Sequence, residues 1–210
     1  MKKPFTLVEV LIAMSVLSVF LLGLMQFYSS TENVLSSGVE RTEMFERARI
    51  AMDMMANDLA CVYYSQTDDD LKPFQASGSS FSVATVRPEK LNRNAKTNIV
   101  AVKYNWNSGK QTLTYSCDRN GDNFGLDGAG FGSETELVDG VTDFNVRAIY
   151  GDGISSLPAL VVIRMELIDG KTLRRIKANP SAKNAILDNA TKREFRRMVV
   201  IDRGQPKPKL

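Results

Sequence analysis

The sequence predicts an α+β fold in which one long N-terminal helix packs on an antiparallel β-sheet head. Three observations lead to this prediction. The chain begins with an apolar run, continues with apolar residues at helical spacing, and then shows a series of short alternating segments typical of strands. These features divide the 210 residues into a leader (1–4), a transmembrane helix (5–27), an amphipathic continuation (28–65), a β-rich head (66–203) and a flexible tail (204–210).

The first element is an apolar helix that contains one acid. Residues 10–25 carry no charge, and the run extends back to Phe5 with Glu9 as its one ionisable residue. As a helix this stretch is roughly 30 Å long, which matches the hydrocarbon core of a bilayer. Two lysines precede the run and predict that the N-terminus stays in the cytoplasm.

Two simpler interpretations of this segment fit less well. A secretory signal peptide has a shorter apolar core and a small-residue cleavage site, whereas this run ends in Gln-Phe-Tyr-Ser-Ser-Thr. A plain signal anchor leaves Glu9 unexplained, because an unpaired carboxylate in the apolar region costs a few kcal/mol or more. The acid therefore requires a partner.

The helix is predicted to continue to about Tyr64, with Gly23 and Gly38 as points where it can bend. Its second half has an apolar stripe with spacings of three and four, and acidic and basic residues, Asp58 among them, are assigned to the other faces. We expect the stripe to pack on the sheet of the head, and residues 5–39 to form a seam with neighbouring helices. The stripe consists of Phe45, Ala48, Met52, Met55, Leu59 and Val62.

The head is predicted from segments in which apolar and polar residues alternate. Turns are expected at 107–109 and 169–170, each between two strands, and loops at 67–70 and 75–80. A helix followed by such a series indicates an α+β domain with the helix on one sheet face. The predicted strands are 81–86, 99–106, 113–117, 144–150, 161–167 and 195–201.

Composition argues against most enzyme classes and against a nucleic-acid partner. The chain has no histidine, which removes the common general base and the common zinc ligand. It has no phosphate-binding glycine motif, and no spacing places two acids across a cleft. The formal charge is only +3, with basic and acidic residues spread along the chain. We therefore predict a non-catalytic protein without a cofactor.

Two small sets of residues have open interpretations. Cys61 and Cys117 either form one disulfide in an oxidising compartment or remain buried thiols. A loop rich in oxygen donors is either a polar hairpin loop or a calcium site. An EF-hand pattern is incomplete there, since the glycine comes one place early and no glutamate closes the loop. The candidate calcium ligands are Asp118, Asn120, Asp122 and Asp127.

The N-terminal residues resemble a known family. Phe5-Thr-Leu-Val-Glu9-Val, followed by an apolar helix, is similar to the class III signal of type IV pilins and type II secretion pseudopilins. The resemblance implies that a prepilin peptidase cuts between Pro4 and Phe5 and that the new amino group of Phe5 is methylated. It also implies that Glu9 pairs with the amino group of a neighbouring subunit during assembly. Pro4 stands where the family usually has glycine.

The order of later segments extends the resemblance to minor pseudopilin J of type II secretion and the related W-type minor pilins. The similar segments are Met-Asp-Met-Met-Ala-Asn-Asp-Leu (52–59), Ala-Val-Lys-Tyr-Asn-Trp (101–106), Leu-Thr-Tyr (113–115), and residues 157–167 and 193–203.

This resemblance implies a fibre subunit at the tip of a secretion pseudopilus, where assembly begins, that contributes to protein export. It would be anchored by a single pass in the inner membrane with its head in the periplasm, and would later join a periplasmic fibre. Implied partners are the prepilin peptidase, other minor pseudopilins, the major pseudopilin, the inner-membrane assembly platform and membrane lipid. A minor pilin of a type IV pilus or DNA-uptake system is an alternative. A membrane-anchored periplasmic binding or enzymatic domain is an alternative from another class.

Overall fold

The computed structural model describes residues 7–64, 72–87, 97–118, 126, 130–151 and 157–201. The chain divides into two units, Met1–Glu43 and Met44–Leu210, and helix α1 (Leu7–Ala60) contributes to both. The leader and the tail predicted from the sequence lie outside the described residues.

Helix α1 confirms the long N-terminal helix and ends at Ala60 rather than near Tyr64. The chain beyond it pairs with a strand instead. The Tyr63 amide donates to the Ala84 carbonyl at 2.8 Å, and Val62 forms an antiparallel bridge with Thr85. Val62, Tyr63 and Tyr64 are of residue types that favour extended backbone, which explains why the helix ends before them.

The first sheet has five antiparallel strands in sequential order. Three of them, and the turn at 107–109, confirm the sequence prediction, whereas β1 and β5 are additional and β1 falls partly in a stretch that we expected to be loop. The strands are β1 (Phe74–Ala76), β2 (Ser80–Val86), β3 (Ile99–Asn107), β4 (Thr112–Cys117) and β5 (Thr135–Asp139).

The second sheet has three antiparallel strands, β6 (Val141–Ile149), β7 (Leu160–Ile168) and β8 (Lys192–Val200), in sequential order. All three confirm predicted strands, but β7 and β8 are not joined by a hairpin. Two helices, α2 (Gly170–Ala178) and α3 (Lys183–Asp188), lie between them in sequence. The turn predicted at 169–170 is therefore wrong.

Asp169 explains this error, because it caps α2. Its Oδ1 accepts a hydrogen bond from the Thr172 amide at 2.8 Å, and its Oδ2 accepts one from the Thr172 hydroxyl at 3.0 Å. An Asp-Gly pair suits a tight turn and also a helix start, and here the cap prevails because Leu173 and Ile176 are buried on one face of α2.

The core of the second unit joins the last turns of α1 to both sheets. The predicted stripe is confirmed at its centre, where α1 contributes the buried residues Met44, Ala48, Ala51, Met52, Met55, Ala56 and Leu59.

Two residues of α1 differ from expectation: Phe45, which belongs to the stripe, and Asp58, which was assigned to a polar face. Phe45 is exposed and contacts Phe195 of β8 edge to face, with ring centroids 5.5 Å apart. Asp58, assigned to a polar face from the sequence, is only 2% exposed. The α+β class is confirmed, with the strands divided between two sheets rather than one.

Candidate functional site

The first part of α1, residues 7–27, presents apolar side chains on every face. All side chains from residue 7 to residue 36 are exposed, and an 18-residue window of the helix is long and apolar enough to cross a membrane, with none of it buried. A helix that is apolar all round requires either lipid or other helices around it. This part of α1 is compatible with a single-pass membrane anchor.

Two hydroxyl groups in the apolar run bond to the helix itself. The Ser15 hydroxyl donates to the Leu11 carbonyl at 2.8 Å, and the Ser18 hydroxyl donates to the Met14 carbonyl at the same distance. Hydroxyls bonded in this way leave no polar group that needs water. The two serines therefore do not oppose insertion into an apolar environment.

Glu9 lies in the first turn of α1 and is exposed. The partial positive charge of a helix N-terminus favours a carboxylate at that position. Pro4 and Phe5 lie outside the described residues. Cleavage before Phe5, its methylation and the pairing with Glu9 therefore stay predictions.

The two cysteines are free and are not brought together. Cys61 is exposed and lies beside β2, since its carbonyl accepts from the Val86 amide at 2.9 Å. Cys117 is buried at the end of β4, and β3 separates β4 from β2. Adjacent strands are about 4.8 Å apart, so the Cα atoms are farther apart than the roughly 7 Å that a disulfide spans. The disulfide alternative is not supported, and the thiol alternative was wrong in placing both cysteines in the interior.

The candidate calcium loop is described only at its start. Asn120, Asp122 and Asp127 lie outside the described residues, whereas Asp118 is buried and its Oδ2 accepts from the Gly130 amide at 3.1 Å. Among the described residues no group of three or more acidic or cysteine side chains could hold a metal. Asp118 has a role in holding its own loop, and calcium binding stays a prediction.

A buried polar cluster that the sequence did not reveal fixes the end of α1 to the first sheet. The Tyr104 hydroxyl donates to Asp58 Oδ2 at 2.6 Å, and Arg87 Nη2 lies 2.7 Å from Asp58 Oδ1. Burial raises the pKa of Asp58, and the hydrogen bond from Tyr104 and the charge of Arg87 oppose that rise. Burial also raises the pKa of Tyr104, and the neighbouring Asp58 raises it further.

One signal for this cluster was present in the sequence. Tyr104 stands in a strand among buried residues, and a buried tyrosine hydroxyl usually has a hydrogen-bond partner. What the sequence did not provide was the identity of that partner, which lies on a different element. The cluster positions the end of α1 on the first sheet.

Part of the chain is similar to a known pilin-like protein. The chain is 39% identical over 59 residues to the pilin-like protein PilA3 of Thermus thermophilus. The match covers 28% of this chain and 25% of that protein. No model of a known protein family matches the chain. The similarity supports a type IV pilin-like family and does not reach any particular subfamily.

Proposed function

We propose that this protein is a non-catalytic structural subunit of a pilin-like fibre, and specifically a minor pseudopilin of a type II secretion pseudopilus. The observation that carries the proposal is the exposed, apolar first part of α1 with Glu9 in its first turn. The similarity to a pilin-like protein supports the same class. The narrower assignment depends on the order of segments in the head.

Assembly follows from the physical chemistry of the helix. In the membrane, lipid covers its apolar side chains; in a fibre, the helices of neighbouring subunits cover them. Glu9 is costly in either environment unless a cation pairs with it. Cleavage before Phe5 would create that cation as the amino group of the next subunit, and the pair would set the axial position of one helix against another.

Location and partners belong to the same proposal. The lysines before the helix keep the N-terminus in the cytoplasm, so the head lies in the periplasm. The partners are the prepilin peptidase, the assembly platform of the inner membrane, the major pseudopilin and other minor pseudopilins.

A minor pilin of a type IV pilus is the second candidate, and the similarity to a pilin-like protein favours it. Both candidates use the helix and Glu9 in the same way. Purification of the crosslinked fibre from the native host distinguishes them, because the accompanying major subunit belongs either to a secretion system or to a pilus.

The assembly role is tested by replacing Glu9 with alanine. We expect Glu9→Ala to insert into the membrane normally and to enter the fibre roughly tenfold less or worse, since loss of a few kcal/mol of pairing gives at least that factor. The measurement is the ratio of fibre-bound to membrane-bound protein after shearing. Glu32→Ala is the matched control, because it removes an exposed acid from the same helix outside the apolar run.

Equal incorporation of Glu9→Ala and Glu32→Ala would refute the role of Glu9. Cleavage is measured separately, by mass spectrometry of the purified protein. A mature chain that begins with methylated Phe5 supports the pilin class, and a chain that retains Pro4 contradicts the proposed pairing.

A further inference from the structure

The outer face of the second sheet is ordered in rows by the strand register. This face is the one that carries Val162 and Arg164 of β7, opposite the face on which Val161, Ile163 and Met165 are buried. Because β6, β7 and β8 pair antiparallel in regular register along most of their length, outward residues from the three strands stand side by side. Each row therefore has one residue from each strand.

One end of the outer face is apolar. Ile149, Leu160 and Val200 form the end row, and Val162 and Met198 stand in the row beside it. Met198 is 66% exposed and Val200 is 76% exposed. Single exposed apolar residues are ordinary, but a contiguous group at the end of a sheet indicates a contact surface.

The middle of the outer face is basic. Arg147 of β6 lies in the same row as Val162 and Met198, with Val162 between them. Arg164 and Arg196 lie opposite each other in the next row. Together with Asn145 they line a shallow depression of about 520 Å³ on the face. No acidic side chain among the described residues pairs with Arg147.

The other end of the outer face is acidic. Asp143, Glu166 and Glu194 form the last row. Arg164 bonds to Asp143, and Arg196 Nη2 lies 3.4 Å from Glu194 Oε1. The face thus changes from apolar through basic to acidic along the strands. The acidic row would repel a long polyanion that bound along the strands. The order of charges therefore fits a protein segment better than a polyanion.

Strand β8 gives this face a free edge. It is the last strand of its sheet, and no backbone group of the described residues bonds to its outer side. A long edge strand with unpaired amide and carbonyl groups can accept a further strand. Any added strand would extend each row by one residue.

We propose that the free edge of β8 is a docking site for an extended segment of another protein, which adds antiparallel to β8. The rows define its chemistry. On the outer face, the side chains of the segment are apolar beside Val200 and Met198, a carboxylate beside Arg196 and basic beside Glu194. This inference is independent of the assembly role of Glu9.

A second copy of this chain fits the edge less well. Antiparallel pairing of two β8 strands about Phe195 sets Glu194 opposite Arg196 but also sets Arg193 opposite Arg197. Pairing about Arg196 or Arg197 sets identical arginines opposite each other. Like charges directly opposite each other in a sheet are destabilising. Pairing about Met198 avoids this defect but sets Arg196 opposite Val200. No self-pairing of β8 therefore gives Arg196 an acidic partner without setting arginines opposite each other.

The test uses the full chain in detergent micelles and a fluorescent peptide with blocked ends, Val-Thr-Val-Thr-Glu-Thr-Lys-Thr, whose alternate residues match the rows. We expect saturable binding by fluorescence polarisation. Arg196→Glu should weaken binding by about fivefold or more, since one reversed charge pair contributes on the order of 1 kcal/mol. A peptide with Glu changed to Lys should recover binding to Arg196→Glu. Lys171→Glu, an exposed site on α2, is the control and should leave binding unchanged.

Two further peptides test whether the segment adds as a strand. In an antiparallel pair, alternate amides point to the neighbour and the others point away. Methylating one alternate set of backbone nitrogens should abolish binding, and methylating the other set should be tolerated. These peptide arms do not depend on the folding of any variant.

Three results of the peptide-binding measurements would overturn the proposal. They are absence of saturable binding, equal tolerance of both methylated peptides, and equal effects of Arg196→Glu and Lys171→Glu. A concentration-dependent dimer of the wild-type chain that Arg196→Glu abolishes would also overturn it, because the edge would then belong to a second copy.

Discussion

Asp58 is the residue whose environment differs most from what its chemical nature suggests. A carboxyl group that is 2% exposed lies among apolar side chains and has two polar partners. Removing one partner of such a pair leaves the other without compensation, which costs more than the pair contributes when intact. Even a conservative substitution of Asp58 should therefore lower the stability of the fold.

Replacing Asp58 with asparagine should destabilise the head by about 1–3 kcal/mol near neutral pH, because only one of the two atoms that face Tyr104 and Arg87 remains an acceptor. Urea unfolding of both proteins measures the difference. Asp53→Asn is the control, since its ion pairs are largely solvated and should contribute less than about 1 kcal/mol.

The difference between wild type and Asp58→Asn should also depend on pH. Burial raises the pKa of Asp58 in the folded chain above its ordinary value of 3.8. An acid of this kind stabilises the fold fully below its unfolded pKa, and this contribution is lost as the pH rises through the folded pKa. Wild type should therefore lose stability relative to the variant as the pH rises above the ordinary value of 3.8 and through the raised pKa of the folded chain. A difference that grows with pH would show that the ion pair with Arg87 outweighs burial.

At the scale of elements, alternation of apolar and polar residues predicted the longer strands well and the shorter ones poorly. Strand β1 has three residues, too few for a pattern. Strand β5 pairs with β4 through a register shift between Leu113 and Thr114, which disturbs the pairing that a regular strand would have. The helix start at Asp169 was missed because the same two residues also suit a hairpin.

The junction of β5 and β6 depends on Gly140. Its φ is +76°, and a Cβ there would lie 3.1 Å from the Ile168 carbonyl oxygen. Gly140→Ala should therefore destabilise the head by about 1–3 kcal/mol through backbone strain and crowding. Thermal unfolding measures this. Gly130→Ala, with ordinary φ and open space, should change stability by less than about 0.5 kcal/mol, and equal effects of the two variants would contradict this account.

At the scale of the whole molecule, the sequence predicted the apolar part of α1 more completely than the head. Residues 7–27 carry their apolar character and Glu9 locally, so one segment was enough to recognise them. The partners of Asp58 are distant in sequence, and the outer face of the second sheet exists only once three strands are in register. Properties that depend on long-range pairing could not be obtained from local patterns.

The second unit has a core that depends on part of α1. All members of its main core cluster lie at Met44 or later, and Ala48, Met55 and Leu59 of α1 are fully buried in it. A chain of residues 44–210 should therefore fold alone and unfold cooperatively, with a free energy of unfolding close to that of the head in the full chain. Near-ultraviolet circular dichroism and Trp106 fluorescence during urea unfolding measure this.

A chain of residues 61–210 is the matched comparison. It keeps every strand but loses the buried face of α1, so the sheets would expose the apolar side chains that pack against the helix. Each missing large side chain costs roughly 2–5 kcal/mol, and several together exceed the total stability of an ordinary domain. We expect this chain to lack a cooperative transition and to bind hydrophobic dyes. Cooperative unfolding of residues 61–210 would show that the helix only covers a head that is already stable, whereas failure of residues 44–210 to fold would show that the head needs the apolar part of α1.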